Sequence, residues 1–353
     1  MADPLARAVT FAERALERVA SFGAEVGGDA VSLLEERTRR SGRRAEHGIS
    51  AGGSCRLLPT ADGWCAVNLP RTDDLELLPA WLGVDASEEV PWDAIAAAMT
   101  SRTLDAVVVA GQELGLAVAA LPGDDADEQL AFRGTTAPAR PWLVRRVGEP
   151  VAARSLDGLR VVDLSSLWAG PLCARLLGRA GASVVKVEST TRPDGARSGD
   201  PEFWSAMLDG HDEVTLDFTT DAGREALRAM VREADIVLEQ SRPRALERLG
   251  IVPAEFVAGR PGQVWLSITA YGRCGPWRDR VGFGDDAAAA GGLVDRAAHG
   301  APLFVGDAIA DPLTGIVAAA LVAGAVQAGG AMTVDVCLRE VARSAAAGAR
   351  VVW

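Results

Sequence analysis

Four short runs in the second half of the chain limit what it can fold into: "RVVDL" (160–164), "SVVKVE" (183–188), "DIVLEQ" (235–240) and "VWLSITAYG" (264–272). Each is rich in β-branched residues and almost continuously apolar, the pattern of a strand covered on both faces. Helical patterns separate the runs. The clearest spans 222–234, where Leu227, Met230, Val231 and Ala234 fall on one stripe. Strand–helix alternation of this kind predicts an α/β fold built on a parallel sheet flanked by helices. Such sheets bind ligands beyond the carboxyl ends of their strands, here "SSLWAG", "ESTTRPDG", "EQSRPRALERLG" and "AYGRCGPW". A nicotinamide dinucleotide is disfavoured, because the turn after the first strand reads "LSSLWAGP" and has no GxGxxG. Glu188 stands where a ribose-binding acid would. Without those glycines the backbone cannot approach a pyrophosphate closely, so its position is read as coincidence.

The first half has another character. Val9, Ala12, Leu16 and Val19 share a helical face, and Asp29 is placed to cap a second helix through Leu34. Two apolar runs flank Asp62-Gly63, a strong hairpin signal. Helical patterns follow at 91–100 and 102–114, with Leu104, Val107, Val108 and Leu114 on one face of the second. The expected organisation is a helical segment (1–48), a smaller α+β domain (49–135), a Pro- and Arg-containing linker (136–155) and the large sheet domain (156–353).

The bulk numbers exclude some function classes. A net charge of −12 argues against nucleic acid as a partner. Five dispersed cysteines with no CxxC spacing read as reduced thiols, so a cytoplasmic location is expected. No His/Cys cluster points to a metal. The longest apolar run, 312–326, is about 15 residues, short of a membrane span, so no membrane association is expected.

One stretch raises a chemical question. In "PLFVGDAIADPLTG" (302–315) two aspartates interrupt an apolar run just before an Ala-rich helical pattern. Asp-Pro is a good helix-capping pair, so on pattern alone Asp311 reads as a cap with Pro312 as the first helical residue. Asp307 reads as a loop acid.

Five blocks in order change that reading. "LDGLRVVDLSSLWAGPLCARLLGRAGASVVKVE" (156–188), "EVTLDFTTDAGREALRAMVREADIVLEQSRPRALERLG", "LSITAYGRCGPWRDRVGFGDDAAAAGGL", "PLFVGDAIADPLTGIVAAALVAGAV" and "TVDVCLREV" together resemble family III CoA-transferases over about residues 155–345. That group includes formyl-CoA transferase, carnitine CoA-transferase and α-methylacyl-CoA racemase. The resemblance implies a Rossmann-like parallel sheet flanked by helices, a second smaller α+β domain, and an interlocked homodimer. "ISAGGSCRLLPTADGWCAVNL" resembles the small domain's glycine loop and first hairpin, which places it ahead of the large domain here. The order looks circularly permuted, or cut from a duplicated ancestor; permutation predicts that Met1 and Trp353 end close together.

The resemblance also implies roles. Asp311 matches the nucleophile that attacks an acyl-CoA thioester, giving an aspartyl-acyl anhydride and then an aspartyl-CoA thioester before an acceptor carboxylate reverses the sequence. At a helix start its charge would be held by the N-terminal dipole. Gly52 and Gly53 match a mobile loop that supplies backbone N–H groups to the site. From composition alone that loop is equally an ordinary hairpin entry. Ser166, Leu167, Trp168 and Ala169 match a first CoA-contacting loop, and Leu216, Gln240, Arg248 and Leu249 match later CoA contacts. Arg248, with Arg242 and Arg244 nearby, is the phosphate candidate. The bland readings are a solvated helix start for the arginines and a core aromatic for Trp168.

The chain departs from the family in places. His211-Asp212 and Ser189 stand where basic residues often occur. Phe283 occupies the position of the racemase histidine, and none of His47, His211 and His299 fills it. The expected function is acyl-CoA:carboxylate CoA transfer. One alternative is a racemase-like acid/base enzyme pairing Asp311 with Asp285 or Asp286, residues that could equally cap the "AAAAGG" helix. The other is a catalytically silent CoA-binding subunit.

Overall fold

A computed structural model of the chain describes residues 3–22, 28–85, 88–121 and 141–349. The second-half runs form the expected sheet. Strands β5 (Arg160–Leu164), β6 (Ser183–Ser189), β7 (Asp212–Leu216), β8 (Ile236–Glu239), β9 (Val264–Thr269) and β12 (Met332–Cys337) are all parallel, in spatial order β7-β6-β5-β8-β9-β12. The first of them lies inside, and the chain fills one side before crossing to the other. The order therefore reverses between β5 and β8, where Leu164 pairs with Glu239, and the crevice of a doubly wound sheet opens there.

A seventh strand was not expected. Residues of the supposed linker form β4 (Trp142–Arg146), which pairs antiparallel with β12 from Trp142↔Val336 to Arg146↔Met332. The segment contributes an edge strand to the large sheet rather than a tether. The remaining linker and small-domain residues in 122–140 lie outside the described residues, as do Met1 and Trp353, whose proximity was expected.

Helix α14 (Ala310–Gln327) is apolar on every side and runs through the core. It reaches 18 residues, more than the apolar run that predicts it, and by length and composition alone could cross a membrane; 89% of it is buried inside the protein. Its small residues allow close neighbours. A Cβ at Gly315 would lie 2.6 Å from the Ala169 carbonyl oxygen of helix α8 (Ala169–Arg179). The first helix, α1 (Pro4–Ala20), shares this core through Ala8, Phe11, Ala12, Ala15 and Val19. Arg14 Nη1 donates to the Ala349 carbonyl at 3.3 Å, just beyond helix α15 (Leu338–Ala346). The N-terminal helical segment thus packs into the large domain.

Asp29 caps α2 (Ala30–Leu34), accepting from Ser32 N at 2.8 Å, a contact worth about 1 kcal/mol. Helix α3 (Glu36–Ser41) follows. In the small domain β1 (Cys55–Pro59) and β2 (Trp64–Asn68) form the hairpin about Asp62-Gly63, and β3 (Ala117–Ala120) pairs on the far side of β2. Helices α6 (Trp92–Met99) and α7 (Leu104–Glu113) pack on it through Ile95, Met99, Val107 and Val108, while Leu114 stays 36% exposed. The sheet's other face meets α13 (Gly284–Ala290), where Ala66 and Ala119 pack with Ala289 and Ala290. Small residues on both sides bring the hairpin close to the mouth of α14.

Candidate active site

The start of α14 answers the question raised by its aspartates. Asp311 lies inside the first turn, and no side-chain hydrogen bond caps the helix. The capping reading is therefore not realised. Asp311 is 7% exposed, and its carboxylate accepts no hydrogen bond among the described residues. A carboxylate in such a place has lost most of its water without gaining donors among the described residues. Burial accordingly pushes its pKa up to about 7; Asp285 and Asp307 add to the rise, and Arg37 opposes it. This rise runs opposite to the lowering expected of a helix N-terminus.

The wall behind Asp311 is the N-terminus of α13. A Cβ at Gly284 would fall 2.6 Å from Asp311 Oδ2 and 2.5 Å from the Ala308 carbonyl oxygen, so only glycine permits this approach. Ala308 adopts φ +42°, donates its N–H to Asp285 Oδ1 at 2.9 Å, and accepts from Asp311 N at 2.8 Å. Asp285, 8% exposed, is raised to about 7 by burial and by Asp307, against Arg37. Asp286 is fully buried and raised to about 8, chiefly by burial. Its Oδ1 accepts from the Phe283 N–H and from Asn68 Nδ2, both at 2.9 Å, so the expected capping role belongs to Asp286. Asp307 is 3% exposed and holds Arg37 in a bidentate pair, Nε at 2.6 Å and Nη2 at 2.5 Å. It is more than the loop acid expected.

The glycine loop reaches this cluster through side chains. Ser54 Oγ donates to Asn68 Oδ1 at 3.0 Å, and Asn68 then donates to Asp286. Gly52 and Gly53 are exposed, with nothing within 4 Å of a Cβ built on either. Gly53 has φ +79°, and its N–H donates to the Ser50 carbonyl at 2.9 Å. That N–H closes the turn, which leaves Gly52 as the loop glycine whose N–H forms no backbone bond among the described residues.

Most of the other candidates lie at the crevice between β5 and β8, while Leu216 ends the edge strand β7. Ser166 and Leu167 are partly buried at the end of β5. Leu167 has φ +67°, a strained value for a residue with a Cβ, and its N–H donates to Asp194 Oδ1 at 2.9 Å. Lys186, fully buried, holds this loop: its ammonium donates to the Ser165 carbonyl and to Asp194 Oδ2, and lies 3.7 Å from Asp163 Oδ2. Glu188 pairs with Arg197 and accepts from Asp194 N, a structural duty. Gln240 Oε1 accepts from Gly170 N at 3.3 Å, next to Ala169, which is buried. Trp168 is fully buried, edge-on to Phe203 with centroids 5.2 Å apart, and Arg37 lies 4.7 Å above its ring. Its side chain is a core aromatic. Leu216, at the end of β7, accepts from Thr190 N at 3.0 Å.

Arg248 and Leu249 end helix α11 (Pro243–Arg248), Arg248 exposed. The stronger anion feature is Arg242, before that helix. It is half-buried, and its pKa is lowered by burial and then by the charges of Arg71, Arg244 and Arg192. Charges from the small domain, the loop after β6 and the start of α11 thus act together on Arg242, with Asp279 opposing them. Arg71 is anchored by Asp74, whereas Arg242, Arg244 and Arg192 form no ion pair among the described residues. Mutual repulsion of this kind is relieved by a polyanion. Arg71, Arg192 and Arg37 carried no sequence signal, because only the fold brings them here.

Comparison with known proteins identifies the family. The family model described as CoA-transferase family III matches residues 156–350. The succinyl-CoA–D-citramalate CoA-transferase of Chloroflexus aurantiacus is 34% identical over 177 residues, 47% of this chain and 44% of that protein. The succinate–glutarate CoA-transferase of Agrobacterium fabrum is 29% identical over 206 residues, 53% of this chain and 51% of that one. The crystal structure of a hypothetical protein from Mycobacterium tuberculosis superposes with a TM-score of 0.50 at 30% identity, over 56% of this chain and 57% of that one. The chain spans about half the length of the curated relatives it matches. With more than half of its length matched by the family model, it belongs to CoA-transferase family III.

Proposed function

We propose that the chain transfers CoA from an acyl-CoA to a carboxylic acid, with Asp311 as the nucleophile. The observation that carries this reading is the Asp311 carboxylate itself, buried, without a hydrogen-bond donor among the described residues and backed by Gly284. Such a group is destabilised at rest and gains by forming a bond. Its Oδ would attack the thioester carbonyl, breaking the C–S bond and releasing CoA as thiolate. The thiolate would then attack the aspartyl carbonyl of the anhydride, expelling the donor carboxylate and leaving an aspartyl-CoA thioester. The acceptor carboxylate would reverse both steps, so no net proton is consumed. Oxyanions formed on the way would be met by the loop N–H groups, first Gly52 and then Gly53 if its turn opens. The diphosphate of CoA would lie at Arg242, Arg244 and Arg192, with its arm along Ser166–Leu167 toward Asp311. Two chains are expected to assemble, as the resemblance implies.

A second reading draws on the two carboxyls near neutrality. Asp285 and Asp311 are both raised to about 7, which suits proton transfer at an acyl-CoA α-carbon. Phe283 cannot share in it, since it has no titratable group. The two readings separate in one experiment. Purified protein is incubated with succinyl-CoA and labelled glutarate, and separately with a 2-methylacyl-CoA in deuterated water. Label entering the thioester pool, abolished by Asp311→Ala, supports transfer. Deuterium at the α-carbon without label transfer supports the acid/base enzyme.

A further inference from the structure

Arg37 lies outside the region matched by the family model, in the N-terminal helical segment. Its guanidinium is nevertheless inside the site. Asp307 grips it by Nε and Nη2, and the indole face of Trp168 supports it from below. One side of this cation thus meets the loop that leads into α14, and the other meets the turn after β5. Three carboxylates act on its charge, from the loop before α14, the first turn of α14 and the start of α13. Asp307 and Asp311 frame the start of α14, and Asp285 comes from α13. Arg37 is the cation whose charge acts on both Asp285 and Asp311.

We infer that Arg37 is a positioning residue for Asp311, a counter-charge fixed by Asp307 and Trp168 at the mouth of α14, which makes the N-terminal helical segment part of the site. The inference rests on the proposed role of Asp311. Its geometric basis is the two-point grip on Arg37. A bidentate guanidinium stacked on an indole is fixed in orientation, so its charge is delivered at a set place rather than averaged over rotamers. Opposite charge lowers a carboxylate pKa, and burial raises it; burial outweighs Arg37 here, yet Arg37 is the opposing cation. Without it, Asp311 would face Asp285 and an unpaired Asp307. The sign is therefore fixed: loss of Arg37 raises the Asp311 pKa and moves the acid limb of any Asp311-dependent rate to higher pH. Neutralising Asp307 as well removes one negative neighbour and reverses part of that shift.

The test uses the full chain and two readouts. The pH profile of CoA exchange is measured for wild type, Arg37→Gln, Arg37→Lys and the double variant Arg37→Gln/Asp307→Asn. In parallel, the Asp311 carboxyl is titrated by 13C NMR of aspartate-labelled protein, identified by its absence in Asp311→Asn. Expected are an acid limb about one pH unit higher in Arg37→Gln, hence about tenfold less exchange below it, partial return in the double variant, and rescue by Arg37→Lys. The NMR midpoint should move with the kinetic limb. A rate lowered by the same factor at every pH, with an unmoved midpoint, would reduce Arg37 to a structural tie and overturn the inference. If wild type shows no exchange, the transfer reading fails, while the NMR midpoint still decides whether Arg37 controls Asp311.

Discussion

Gly284 is the position where one methyl group tests the site's geometry. An added Cβ would stand 2.5 Å from the Ala308 carbonyl oxygen, 2.7 Å from Ala308 Cβ and 2.6 Å from Asp311 Oδ2. Ordinary contacts need nearly an ångström more, and little can yield. The Ala308 carbonyl is tied to Asp311 N at 2.8 Å, and the Ala308 N–H to Asp285 at 2.9 Å. Overpacking of this kind costs about 1–3 kcal/mol of stability. The carboxylate, which no hydrogen bond holds among the described residues, would be displaced first. A shift of about 1 Å in a reacting group lowers the rate by roughly a hundredfold. Gly284→Ala is therefore expected to remain folded with a modestly lower Tm, while kcat/KM for CoA exchange falls about two orders of magnitude. Gly259→Ala is the control, since nothing lies within 4 Å of its Cβ at an exposed helix end. It should keep both Tm and rate. A Gly284→Ala protein with wild-type rate and Tm would show that Asp311 is not seated against α13.

Other perturbations follow from the same structure. Native Asp311 keeps its proton between 3.8, where the unfolded chain loses it, and about 7, so its burial destabilises the fold progressively as pH rises through that window. Asp311→Asn should raise stability by roughly 1–3 kcal/mol at pH 8 and by much less at pH 4, read by denaturant unfolding at both. Arg242→Ala should weaken CoA binding by about 1.5–3 kcal/mol, or roughly ten- to a hundredfold in Kd by calorimetry, with a shallower salt dependence. Unchanged affinity would remove the arginine cluster from the CoA site. Lys186→Met leaves Asp163 and Asp194 buried without their cation and should cost about 3–5 kcal/mol, seen as a lower denaturation midpoint.

The large sheet was legible because each parallel strand is buried on both faces and must be apolar throughout, as in Val161–Val162 and Val264–Ile268. The hairpin at Asp62-Gly63 was legible from turn chemistry. Strand β4 was hidden, because its outer positions are exposed arginines and the neighbouring prolines read as a linker. Leu114 kept helical spacing yet stayed outside, since helix α7 ends at Glu113. Asp311 was singled out by its place in an ordered set of motifs, whereas the burial that raises its pKa comes only with the fold. The dipole of one helix turn is weak beside burial among other carboxylates. Arg37 and Arg71 were invisible for a simpler reason. Their partners Asp307 and Arg242 lie far along the chain, and no spacing rule links them.

Intact-protein mass spectrometry after incubation with succinyl-CoA and other acyl-CoAs tests the central claim most directly, with Asp311→Ala alongside. The account predicts a wild-type species heavier by CoA less one water, discharged by an added carboxylic acid and absent from the variant. An identical adduct on Asp311→Ala, or CoA binding with no adduct from any donor, would contradict a covalent role for Asp311.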